Sequence, residues 1–166
     1  MSRNAKATSF HPVRHDRLIQ EHQHDPYASR EKPHEPAACP DCGAVFHDGR
    51  WRWGAAPPDA HPHLCPACHR VRDHYPAGVV LIGGDFGAAE KDEYLHLIDH
   101  AAKAEAADHP VERIMDIEEE DGSLVVTTTS VHLARRIGEA LQRAHRGRLD
   151  VNYGDAERFV RVYFWH

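Results

Sequence analysis

Cys39-Pro-Asp-Cys42 and Cys65-Pro-Ala-Cys68 make a C-x₂-C, 22-residue, C-x₂-C pattern that uses every one of the four cysteines in the 166-residue chain. Two residues between thiols let both sulfurs of a tight knuckle face one point, and four thiolates at about 2.3 Å satisfy tetrahedral Zn²⁺ with no open position. The spacing therefore predicts one structural Zn²⁺ held by Cys39, Cys42, Cys65 and Cys68. A segment this small has too little core to fold alone, so metal binding would supply much of its folding free energy.

Three rival uses of the thiols are weighed against this one. Disulfides suit an even count, but the polar start from Met1 through Leu18 lacks the apolar core of a secretory signal, which points to the reducing cytoplasm. A redox dithiol needs only one C-x₂-C, and a second matching pair favours metal. Cys65-Pro-Ala-Cys68-His69 matches the c-type haem attachment pattern, yet that reading gives the Cys39 and Cys42 pair no purpose. His61, His63 and His69 flank the second knuckle, but four cysteines already fill the coordination sphere, so the 16 histidines are read as surface or packing residues.

Texture divides the chain into three parts. Residues 1–38 are rich in proline and charge and poor in large apolar residues, the composition of a flexible N-terminal arm; Arg14 to Glu21 could form a short helix on a partner. Residues 39–87 carry the cysteine pairs and read as a zinc ribbon, with Asp48-Gly49 placed as a two-residue hairpin turn, Val79 to Ile82 as a further short strand, and Gly83, Gly84 and Gly87 as a hinge.

Residues 88–166 alternate between helical and strand periods. Tyr94, Leu95, Ile98, Ala101 and Ala102 mark a helix from Ala88 to Ala107, and two strands follow, joined across Asp121-Gly122. Ser130 is a good N-cap for a second helix to His145, with Leu133, Ile137, Leu141 and Ala144 on one face. Strands about Leu149 to Tyr153 and Phe159 to Trp165 close the chain. The expected fold class is α+β: a zinc ribbon, then a helix-hairpin-helix-hairpin domain with a largely antiparallel four-stranded sheet and both helices on one face.

No apolar stretch approaches the roughly 20 residues a membrane span needs. A net charge of −6 argues against indiscriminate coating of nucleic acid, although local basic faces remain. Arg50 and Arg52 alternate with Trp51 and Trp53, with Arg70 and Arg72 near them as further phosphate contacts. Arg136 and Arg143 share one side of the second helix. Arg161 and Tyr163, with Phe159 and Trp165, would line the open sheet face, where rings can stack on splayed bases. Each set has a plainer reading: tryptophans packing the ribbon with solvated arginines, a solvated helix face, and a sheet face covered by the ribbon or a second subunit. No G-x-S-x-G, H-E-x-x-H, phosphate loop or spare cysteine is present, so no catalytic residue is expected.

The runs His24-Asp-Pro-Tyr27, Cys39-Pro-Asp-Cys-Gly-Ala-Val-Phe46, Gly49-Arg-Trp51 and Cys65-Pro-Ala-Cys68 through Gly78 resemble a family of small bacterial zinc-ribbon proteins. These look like the N-terminal part of the nonsense-mediated mRNA decay protein 3 family, the large-ribosomal-subunit export adaptor. Arg113-Ile-Met-Asp-Ile-Glu118, Leu124 through Ser130 and Ala134-Arg-Arg-Ile137 are similar to the α+β part that follows the cysteine clusters there. The resemblance implies zinc on the four cysteines and contact with ribosomal RNA or a ribosomal protein. The chain has one cysteine quartet where the adaptor family has more, and lacks its later domains, so export is not implied. The functional expectation is a cytoplasmic, non-catalytic protein that contacts ribosome or structured RNA; the alternative is a protein-interaction adaptor or homodimer with a structural zinc and no RNA binding.

Overall fold

The computed structural model describes Tyr27, residues 32–154 and residues 158–166. The expected partner helix from Arg14 to Glu21 lies outside the described residues, as does part of the last hairpin turn. Twelve elements follow in order: β1 (Ala37–Ala38), β2 (Val45–His47), β3 (Arg50–Arg52), β4 (His61–Pro62), α1 (Pro66–Asp73), β5 (Gly78–Gly83), α2 (Ala88–Asp108), β6 (Ile114–Glu120), β7 (Ser123–Thr128), α3 (Val131–Ala144), β8 (Arg148–Tyr153) and β9 (Val160–Trp165). The fold is mixed α+β with two sheets, ordered β3-β2-β1-β4 and β6-β7-β5-β9-β8.

The small sheet grows from its turn. Asp48 and Gly49 both hold positive φ, 51° and 74°, the left-handed pair that lets a two-residue connection follow the natural twist of its strands. Glu35 accepts hydrogen bonds from the amides of both residues, at 2.9 and 3.1 Å, and Ala37 and Ala38 pair with Phe46 and Val45. The end of the segment expected to be a flexible arm is thus built into the small sheet, because its backbone satisfies the open edge of β2.

The large sheet has five strands where four were expected. The extra one is β5, which the composition groups with the cysteine segment. All six of its residues are buried, and it lies at the centre, antiparallel to β7 and parallel to β9. A strand apolar on both faces needs neighbours on both edges and cover on both sides, which a ribbon stabilised by a few sulfurs cannot give. The other two pairings in the sheet, β6 with β7 and β8 with β9, are antiparallel.

Both long helices cover one face of this sheet. Val80, Ile82, Val126, Val160, Val162 and Phe164 meet Tyr94 and Ile98 of α2 and Leu133, Ile137 and Leu141 of α3 in one buried core, each large side chain contributing about 1.5–3 kcal/mol. Ser130 caps α3 by accepting from the Leu133 amide at 2.9 Å. Of the glycines expected as a hinge, Gly83 ends β5 and Gly84, whose φ is +124°, is packed against the end of β9: a Cβ there would lie 2.9 Å from the carbonyl oxygen of His166.

The ribbon docks on the end of the second unit, beside the link from α2 to β6. Trp53 donates its indole N–H to the Ala106 carbonyl at 2.6 Å, and Val111 packs against the cysteines. Glu105, in the last turn of α2, is buried and accepts from Arg136 Nε of α3 at 2.6 Å. Among the described residues no helix is long and apolar enough to cross a membrane.

Close approach of α3 to the sheet depends on Gly138, where a Cβ would fall 2.5 Å from Val162 Cγ1 and 3.0 Å from Leu149 Cδ1. A Gly138→Val variant is expected to lose about 1–3 kcal/mol of stability through overpacking, read as a lower urea midpoint at unchanged slope. A variant as stable as the parent would show that the helix is not seated this tightly.

Candidate metal centre

The four cysteines come together although two separate chain loops carry them. Their Sγ atoms lie within 4.8 Å of one another, and Cys42 and Cys65 are 3.8 Å apart. A tetrahedron with metal–sulfur bonds of about 2.3 Å has edges of about 3.8 Å, so the residues present fit one metal ion.

Local structure aims each sulfur. In the first loop, Cys39 and Ala44 close a tight turn, the Cys39 amide donating to the Ala44 carbonyl at 2.8 Å and the Gly43 amide to the Cys39 carbonyl at 3.0 Å. In the second, Cys65 is the N-cap of α1 and Pro66 its first residue. Proline there removes a donor that would have had no partner, and the positive end of the helix favours negative sulfur. The Cys68 amide donates to Cys65 Sγ and the Cys65 amide to Cys39 Sγ, both at 3.4 Å. Arg72 of α1 reaches Asp41, between the first two ligands, with a 2.7 Å bond from Nε, tying one loop to the other.

The electrostatics of the quartet are set by burial and by the backbone amides around it. Burial pushes the Cys65 and Cys42 thiols up. Burial raises Cys39 too, but the amides of Cys65, Cys42 and Asp41 more than offset it and bring that thiol down to about 7. Binding a divalent cation would ionise all four, since a coordinating thiol gives up its proton.

One further group completes the site. Arg113, at the entry to β6, donates from Nη2 to Cys68 Sγ at 3.0 Å and lies 3.7 Å from Cys65 Sγ. Burial works against its charge, while the thiols hold it ionised. Its backbone is fixed by buried Thr129, which follows β7: Thr129 Oγ1 accepts from the Arg113 amide at 2.8 Å and donates to the Val111 carbonyl at 2.6 Å. A metal bound by four thiolates carries two surplus negative charges, and a guanidinium on two of the sulfurs neutralises part of them. No local pattern marked Arg113, because it stands 45 residues beyond Cys68.

The histidines beside the second knuckle, His61, His63 and His69, are exposed and outside the quartet. Arg70 and Arg72 do not stand ready for phosphate: Arg70 is buried, its guanidinium 4.6 Å over the Tyr27 ring, and Arg72 holds Asp41. The remaining recognition candidates are not brought to one place. Arg50 is exposed on the ribbon, whereas Arg52 donates to the His47 carbonyl at 2.9 Å and to Asp48 at 3.0 Å. Arg136 and Arg143 are exposed on α3, with Arg136 bound to Glu105. Val160, Val162 and Phe164 face the helices, so alternation turns Arg161 and Tyr163 to the opposite side of the sheet. There Arg161 sits 4.7 Å over the Phe159 ring, and Tyr163 packs against Val79, Leu81, Val125 and Phe159.

Compared with family models, curated proteins and solved structures, the chain matches none. The site is therefore characterised by its own chemistry: four converging thiols on two loops, two amide–sulfur bonds and one guanidinium on two of the sulfurs, and a donor set that can hold one metal ion.

Two substitutions separate ligand from support. Cys42→Ser is expected to remove stoichiometric metal and the fold of the ribbon together. Arg113→Met should keep the ligands but release metal to a competing chelator about 10–100-fold more readily. Parent-like retention in Arg113→Met would remove that residue from the site.

Proposed function

We propose that the chain is a non-catalytic zinc protein of the cytoplasm whose ribbon and α+β body form a platform for ribosomal or other structured RNA. The observation that carries the zinc assignment is the quartet itself. Four thiols and no oxygen or nitrogen ligand favour zinc among the common divalent ions, and a four-sulfur shell leaves no open position for a reacting water. The metal's role in this reading is structural: it joins two loops that would otherwise lack a core.

The RNA reading draws on exposed arginines and on the resemblance to the zinc-ribbon proteins described above. Arg143 is exposed in the last turn of α3 and Arg146 just beyond the helix, and Arg50 is exposed on the ribbon. Arg52, Arg136 and Arg161 already make contacts within the protein, so their part is to shape the surface more than to neutralise phosphate. A second reading, a protein adaptor or self-associating module, has its own support in Trp165 and Tyr153, which are 38% and 44% exposed near β8, an edge of the large sheet.

The two readings differ in their response to salt. Binding to structured RNA or ribosomes should weaken steeply as salt rises, and Arg143→Ala should reduce the slope of log K against log salt by about one. Failure to bind either target at low salt would remove the RNA proposal. Association that ignores salt would favour the adaptor reading.

A further inference from the structure

A second group of metal-type donors shares no residue with the cysteine quartet. Glu105 comes from the last turn of α2, Glu112 from the link to β6, and His132 from the first turn of α3; one donor atom from each falls within 4.8 Å of the others. Glu105 is buried, and Arg136 occupies its Oε1 at 2.6 Å, which turns Oε2 toward His132 Nε2 at 3.7 Å. Glu112 Oε2 is shielded from solvent and has no hydrogen-bond partner.

We infer that Glu105, Glu112 and His132 form a site for one exchangeable divalent transition-metal ion, separate from the cysteine quartet. The orphan oxygen is the strongest reason. A carboxylate oxygen removed from water without a donor is costly; Arg136 serves Glu105, while beside Glu112 stand a second carboxylate, Glu105, and His132. A cation among the three donors would satisfy Glu112 and relieve the opposition of two neighbouring carboxylates. Burial first, then the negative charge of Glu105 and a side-chain hydrogen bond shared with it, push the Glu112 carboxyl up, while His132 and His109 pull it down.

Arg136 fits this role as a support. A ligating carboxylate is commonly held by a hydrogen bond to its other oxygen. The donor set also selects the ion: two carboxylates and one imidazole suit manganese, iron, cobalt, nickel or zinc, whereas soft copper(I) prefers sulfur, and calcium and magnesium prefer oxygen throughout. His132 is half exposed, which gives an entry path and room for water on the remaining positions. The site needs no RNA, and its failure would leave the quartet and the RNA reading untouched.

Cobalt(II) distinguishes the two centres, because a thiolate shell gives intense sulfur-to-metal charge-transfer absorption and an oxygen–nitrogen shell does not. Titrating the full chain, with its quartet already zinc-loaded, should reveal one further saturable equivalent of cobalt without charge-transfer bands. Glu112→Gln and His132→Ala should each weaken that equivalent at least about tenfold while retaining the quartet's zinc and the parent circular dichroism. No saturable equivalent, or unchanged affinity in both folded variants, would overturn the proposal, the latter marking adventitious binding to surface histidines. Paramagnetic shifts in the parent protein provide a readout that needs no variant: they should centre on residues 105, 112 and 132, and a centre elsewhere would also overturn it.

Discussion

Convergence of four sulfurs is the constraint on which the ribbon depends. Its sheet consists of strands of two or three residues, and its buried cluster is made largely of the cysteines themselves with two alanines. So little apolar area cannot offset the conformational entropy of ordering the chain. A metal ion held by the quartet would change this balance by replacing a missing core with four strong bonds. The short strands, the turn at Asp48-Gly49 and the cap of α1 then need only orient the sulfurs.

The second unit is stabilised by a different means. Its sheet, α2 and α3 bury a continuous apolar core that needs no metal, and the ribbon is attached at one end. Attachment runs from the core to the sulfurs in a few steps: Thr129, just after β7, fixes the backbone of Arg113, and Arg113 donates to Cys68. Trp53 and Val111 add an indole hydrogen bond and an apolar contact beside it. The metal centre is thereby coupled to the large sheet through one guanidinium, which gives the orientation of the ribbon a defined physical cause.

Much of this was legible in the sequence wherever local rules governed. The quartet follows from spacing, the two hairpin turns from Asp-Gly, and α3 from its stripe of Leu133, Ile137 and Leu141 with Ser130 before it. What was not legible depends on pairing across long separations. Val79 to Ile82 read as a strand but gave no indication of its sheet, because a strand apolar on both faces carries no facial pattern to orient it. Arg113 and Glu105 looked like ordinary members of a charged strand entry and a polar helix end. Arg70 looked like a phosphate contact until burial beneath Tyr27 removed it from solvent. Charged side chains are ambiguous in sequence because the same residue serves as solvated surface, buried partner or ligand support according to what folds against it.

X-ray absorption at the zinc edge of reduced, full-length protein tests the central claim most directly. The structure predicts a single shell of four sulfur scatterers at about 2.3 Å for the ion in the quartet. A shell containing nitrogen or oxygen in place of any of the four, or protein that is folded throughout the ribbon without bound metal, would contradict it.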